Sequence, residues 1–312
     1  MSGENAFTAH FTRFHESAPQ TLFERTLGSA ASLHGVGFVH GKDVTLTYRP
    51  APESTGIRFR RIDLPEQPTV AARFEYLLHQ NRRTAIGSGS AIVEMTEHVL
   101  APLFALGITS AYIDIDGDET PAGDGSSLIF QKAIDQVGVR QLESTIPPAV
   151  IRETIRIEDA AASIEIRPTS APGLHVTYDL AYDHPGIGAQ SHSAWIDPAT
   201  FRRDIAAART FVMEQEVATL RQMGIGIRQS ARDLLVFASD GSVIDNQVRF
   251  PNECARHKLL DVVGDLALLG RPIWGMVHAR RTGHRHNVAL VRKIAEQFMA
   301  QHENGGTIRS AA

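Results

Sequence analysis

The 312-residue sequence contains one cysteine, Cys254. A single thiol cannot close an intrachain disulfide, and it excludes a cysteine-rich zinc ribbon or an iron–sulfur cluster. A reducing compartment is the expectation. Charge of one sign is missing too: 31 Lys+Arg stand against 35 Asp+Glu, a formal net charge of −4. Without a broad basic field, nucleic acid is not an expected partner. Long hydrophobic runs are absent. The most apolar stretch, Leu259 to Val277, is broken by Asp261, Asp265 and Arg271, whereas a spanning helix needs about 20 mainly apolar residues. Met1 to Gln20 carries Glu4, Arg13, His15 and Glu16, and so lacks the apolar core of a secretory signal. These absences together point to a cytoplasmic protein. No GxSxG elbow or HExxH pair occurs. The run Gly35-Val36-Gly37 to Gly41-Lys42 meets neither phosphate-loop spacing, because Asp43 stands where Ser or Thr is required.

What is present is a chain 43% hydrophobic and 21% charged, long enough for about two domains with separate cores. Alternation marks strands at Asp43 to Arg49 and Ile57 to Ile62. Thr96 to Leu106 has helical spacing, and Pro102 requires the helix to begin near Glu97 or later. A strand at Ala111 to Ile115, a polar turn, and a helix at Leu128 to Val137 ended by Gly138 follow. The pair Pro147-Pro148 marks Leu142 to Pro148 as the linker between domains at 20–145 and 149–300. Beyond it come strands at Ile151 to Ile157, Ser163 to Arg167 and Leu174 to Tyr182, then helices at Pro198 to Ala207 and Val217 to Met223. A hairpin arm at Asp233 to Ala238 precedes the longest helix, Asn252 to Leu269. Residues 1–19 and 301–312 are expected to be loose. Both halves mix hairpins and helices in similar order, which predicts a duplicated α+β fold.

Four segments carry chemistry. In His257-Lys258-Leu259-Leu260-Asp261-Val262-Val263-Gly264-Asp265, intervals of four put His257, Asp261 and Asp265 on one helix side. An imidazole and a carboxylate one turn apart can chelate a divalent ion; a solvated helix face explains the same spacing. Thr96-Glu97-His98 pairs a base with a metal ligand, or is simply a Thr cap with an acidic first turn. Gly283-His284 presents an imidazole on a tight loop or begins a helix, and Ala208-Arg209-Thr210-Phe211 offers a hydroxyl and a ring to a ligand or to a core.

Taken in this order, the segments resemble the UDP-3-O-acyl-N-acetylglucosamine deacetylase family, the zinc amidases of lipid A biosynthesis. The likeness runs from about Gln20 to Ile294 and includes Gly35-Val36-Gly37, Arg49-Pro50-Ala51-Pro52 with Thr55-Gly56-Ile57, and Asp124-Gly125-Ser126 beside the four segments above. It implies two similar β-α-α-β domains, their helices packed between two outer sheets, with zinc at the domain junction; iron also suits such ligands. By position, His98, His257 and Asp261 match the metal ligands, Glu97 the general base, and His284 its partner acid. Asp265 matches the carboxylate that orients His284, Thr210 and Lys258 the groups near the oxyanion, and Phe211 an aromatic on the nucleotide-sugar side. The implied activity is hydrolysis of the N-acetyl amide of an acylated UDP-sugar, giving acetate and the free amine. The alternative is a non-catalytic paralogue that binds a nucleotide sugar or acyl chain. A monomer is expected, with at most peripheral membrane contact through the acyl chain, and an apolar passage for that chain is expected at Ile187 to Trp195, with Phe211 on the opposite side.

Three departures from the family pattern stand out. Glu94-Met95-Thr96 replaces the usual STV before Glu97-His98, adding a carboxylate near the ligands. Phe38-Val39 displaces the histidine of GVGLH to His40, and Ala160-Ala161-Ala162 replaces a lysine that usually follows Glu158-Asp159.

Overall fold

The computed structural model describes residues 21–306, with side chains through Gln301. The expected loose N-terminal arm lies outside the described residues, as does the chain from 307 onward. Among the described residues six helices form: α1 (Glu97–Ala105), α2 (Leu128–Val137), α3 (Pro198–Thr200, continued by a π-helical turn over Phe201–Ile205), α4 (Glu214–Gln222), α5 (Glu253–Leu266) and α6 (His284–Gly306). The tail expected to be loose from 301 is thus helical through Gly306.

Two mixed sheets carry the helices. In the first, the order is Ala31–Val36, Asp43–Pro50, Ala111–Ile115, Ile57–Arg61, Thr69–Ala71. In the second it is Ile155–Glu158, Ser163–Arg167, Ile273–Arg280, Leu174–Ala181, Ala189–Trp195. The directions match as well: each central strand is antiparallel to one hairpin arm and parallel to the other. Each also lies between two helices in sequence, α1 and α2 or α5 and α6. Strand periodicity decides the faces: along Leu174–Ala181 buried and half-buried residues alternate strictly, so one face meets the helices and the other meets water. α1 packs against α5, α5 against the second sheet and α6, and α2 against the first sheet. α1, α2, α5 and α6 therefore occupy the space between the sheets, an α+β architecture.

Several elements depart from the sequence reading. Leu142 to Ile146 is no linker: Val139–Ile146 is a strand paired with Leu22–Leu27, and only Pro147 and Pro148 lie between it and the next strand, Ala149–Val150. Val139–Ile146 is exposed along most of its length, so it carries little apolar alternation to recognise. Ile151 lies outside strands, and the arm begins at Ile155. Of the two readings of Gly283-His284, tight loop or helix start, the structure has the helix start: His284 is the first residue of α6. The glycines of Gly35-Val36-Gly37 admit neighbouring chain, not phosphate: a Cβ on Gly37 would lie 2.4 Å from the Glu119 carboxylate.

Candidate active site

α5 decides between the two readings of its polar stripe. A solvated face would leave His257, Asp261 and Asp265 in water; they are 3%, 3% and 0% exposed. Buried ionisable groups persist only when paired or when they serve a ligand. α1 reaches α5 through Gly264, whose Cβ, if present, would meet the Glu97 carbonyl oxygen at 2.2 Å. That glycine lets the start of α1 lie directly on the stripe. Met95, at φ 59, turns the chain sharply into Glu97 and His98. Pro102 sits inside α1 and has no N–H for the His98 carbonyl, which instead accepts the Ser127 hydroxyl at 2.8 Å. The start of α2 is thereby tied to His98.

Three ligand-type atoms converge. His98, His257 and Asp261 each offer one within 4.8 Å of the others. Asp261 Oδ1 is 3.5 Å from His98 Nε2 and 3.6 Å from His257 Nε2. His257 Nδ1 lies 3.2 Å from the Ala208 carbonyl, which can only accept, so the ring carries its proton there and turns the Nε2 lone pair inward. Burial drives the His257 pKa down to about 3, against the pull of Asp261, which keeps the ring neutral. Burial would raise Asp261, but the Lys258 ammonium at 2.6 Å holds it well below the usual carboxylate range. Lys258 is the mirror case: burial opposes its charge, and Asp261 outweighs burial and lifts its pKa above the usual lysine value. Two neutral-capable imidazoles, one ionised carboxylate and an adjacent cation suit a divalent ion.

Beside these ligands stands a second cluster. Glu97 Oε1 is 3.8 Å from His284 Nε2, and that nitrogen is 4.0 Å from Asp261 Oδ2. His284 Nδ1 meets Asp265 Oδ2 at 2.8 Å. Burial disfavours the imidazolium of His284, yet Asp265 first and Glu97 next raise its pKa to about 9. Burial raises Glu97 above the usual carboxylate range, with His284 pulling the other way. Thr210 is placed through its backbone, its N–H on the Gly125 carbonyl at 2.8 Å and its carbonyl on Leu235 N–H at 3.1 Å. The Phe211 ring follows, 6.5 Å from the His257 ring.

Comparisons with known proteins place the chain in a family. The chain matches the sequence profile of the UDP-3-O-acyl N-acetylglycosamine deacetylase family over residues 24–296. It is 37% identical over 276 residues to the UDP-3-O-acyl-N-acetylglucosamine deacetylase of Myxococcus xanthus, covering 88% of this chain and 87% of the relative. The protein of the same name from Leptospira biflexa is 36% identical over 280 residues, 89% of this chain and 92% of the relative. That of Geobacter sp. is 34% identical over 278 residues, 88% and 90%. The chain belongs to this deacetylase family.

Against the family pattern, the departures resolve into pairs. Glu94 does not add a free carboxylate: Arg83 Nε donates to it at 2.6 Å, and the displaced His40 lies 3.8 Å away. Asp159, ahead of the three alanines, accepts the N–H groups of Ala161 and Ala162 and pairs with Arg285 and His286. Phe211 is not across from the segment after Tyr182: its ring is 5.5 Å from Tyr182 and 6.3 Å from Phe237. Strand alternation in Ala189–Trp195 sends the polar Gln190 and His192 inward, which makes Ile187 to Trp195 a poor apolar passage. Sequence reasoning missed Ser127, Thr84 and Asn287, which hold His98, Glu97 and Asp265 through single hydrogen bonds that no spacing announces. Among the described residues, no helix is long and apolar enough to cross a membrane.

Proposed function

We propose that this protein hydrolyses the N-acetyl amide of a UDP-3-O-acyl-N-acetylglucosamine, releasing acetate and the free amine of a lipid A precursor. The observation that carries the reading is the meeting, in one buried cluster, of the ligand set His98, His257 and Asp261 with Glu97 and the His284–Asp265 pair. Two imidazoles and a carboxylate leave a fourth position open on zinc, our choice of metal, and iron would accept the same donors. When bound, such an ion supplies a Lewis acid for the carbonyl and lowers the pKa of water. Glu97, buried and with its pKa raised by that burial, takes the proton of the attacking water. Lys258 sets its positive charge against the developing oxyanion, with the Thr210 hydroxyl as a second donor. His284, cationic below its raised pKa, protonates the departing nitrogen through Nε2. Phe211, whose ring lies 6.5 Å from that of His257, would face the nucleotide sugar. Val217, Leu220 and Met223, in and after a helix with no buried residue, offer the acyl chain an apolar wall. A sensor that only bound the sugar would have no use for a buried base beside an open ligand set. A cytoplasmic monomer divided near Pro147, touching the membrane only through its substrate, completes the reading. Acetate release from the acylated UDP-sugar by metal-loaded protein, abolished by a chelator and restored by metal, is the test. Substrate binding without acetate release under those conditions would favour the sensor.

A further inference from the structure

One buried side chain at the centre of the cluster has no part in those steps. Thr84 directly precedes the strand Ala85–Ser88 and is 2% exposed. Its backbone N–H donates to Glu97 Oε2 at 3.1 Å, and its carbonyl accepts the Thr96 N–H at 3.2 Å. Its hydroxyl donates to Asp265 Oδ1 at 2.5 Å, and the same oxygen lies 3.1 Å from His284 Nδ1. The residue thus links the hairpin before α1 with the start of α1, with α5 and with α6.

Proton accounting gives these contacts a direction. The carboxylate of Asp265 is fully buried and only accepts, taking one N–H from Asn287 at 2.8 Å and the one hydroxyl proton of Thr84. With that proton spent, Thr84 Oγ1 has only lone pairs left to face His284 Nδ1. Both neighbours of Nδ1, Asp265 Oδ2 and Thr84 Oγ1, are therefore acceptors. The ring keeps a proton on Nδ1 in either charge state, and Nε2 is the nitrogen that gives up its proton, on the side of Glu97 and Asp261. Removing the hydroxyl takes one donor from Asp265 and one acceptor from the ring, so the carboxylate can rotate and the imidazole can swing.

We propose that Thr84 is a positioning residue that holds the His284–Asp265 pair in register with Glu97, so that His284 Nε2 points into the site. This rests on the reading of His284 as proton donor to the leaving amine. The test is steady-state hydrolysis of the acylated UDP-sugar by the metal-loaded full chain carrying Thr84→Val, Thr84→Ala or Thr84→Ser, with metal content measured in each. Thr84→Val is expected to lower kcat about 10–100-fold with KM and metal content near wild type. Thr84→Ser, which restores the hydroxyl, should recover most of it. If Thr84→Val does not accumulate as folded protein, Thr84→Ala removes the same hydroxyl without crowding and is judged by the same split. A wild-type kcat in the hydroxyl-free variants, a change confined to KM, or a Thr84→Ser as slow as Thr84→Val would overturn the proposal. An inert wild type, or a His284→Gln variant as fast as wild type, would instead overturn the functional reading beneath it.

Discussion

His278 and Asp179 meet at 2.7 Å on the water-facing side of the second sheet, and His284 and Asp265 meet at 2.8 Å between α5 and α6. By residue type and distance the pairs are twins. Their surroundings differ: side-chain exposure is 32% and 40% for the first pair, 12% and 0% for the second. Water screens the outer pair and competes for its hydrogen bond, so little energy depends on it. The inner pair has no water to fall back on, and Asp265 is held from three sides, by His284, Thr84 and Asn287. What separates the inner pair from the outer one is burial and third partners, and these are what the proposed role of His284 relies on.

The sharpest way to break this contrast is to empty the inner region. On the proposed reading, in which His98, His257 and Asp261 would hold the ion, chelation or His257→Ala should abolish acetate release, whereas His278→Ala should leave turnover and metal content unchanged. Elemental analysis beside an acetate assay checks both. Equal losses in the two variants would mean that the outer pair belongs to the site after all. Next in size, Glu97→Gln should lower kcat about 10²–10⁴-fold while metal stays bound, since an amide cannot take a proton from water. Near-normal turnover with full metal would move the base elsewhere.

Much of the inner region was legible in sequence because helices repeat: an i,i+4 stripe in α5 and a Glu-His pair at the start of α1 are local patterns. The order of segments added what single motifs could not. What escaped detection was contact across the chain. Thr84 is 181 residues from Asp265 and 200 from His284, and nothing in Arg82-Arg83-Thr84-Ala85 marks it. Ser127 matters because Pro102 leaves the His98 carbonyl without an intrahelical donor, a consequence that becomes visible only once α1 and α2 are side by side. The ribbon over Val139–Ile146 escaped for the opposite reason: exposed strands need little apolar alternation, and the adjacent prolines suggested a boundary.

The inner pair should also set a pH limit. The His284 pKa lies at about 9 because Asp265 outweighs burial, and a divalent ion held by the proposed ligands would pull it back down. As proton donor, His284 is active below that value, so turnover should fall as pH rises through it. Asp265→Asn removes the anionic partner, and the alkaline limb of kcat should move to lower pH with metal content unchanged. A limb that stays in place would show that Asp265 packs beside His284 without tuning it.

The outer pair supplies the smallest expected effect. The Asp179 pKa lies below its ordinary value: burial is the largest single influence and pushes it up, and the hydrogen bonds from His278 and Ser191 together more than reverse this. A carboxylate whose folded pKa is depressed adds stability above its unfolded pKa and loses it as pH falls through the folded one. Asp179→Asn should therefore cost under about 1 kcal/mol at pH 7, after allowance for an exposed pair, and nothing measurable near pH 2. Urea unfolding of the variant and wild type at both pH values checks the sign, and kcat should not change. A penalty of several kcal/mol at pH 7, or one that grew on acidification, would mean that the outer pair is held as tightly as the inner one. Burial and third partners would then not be what separates them.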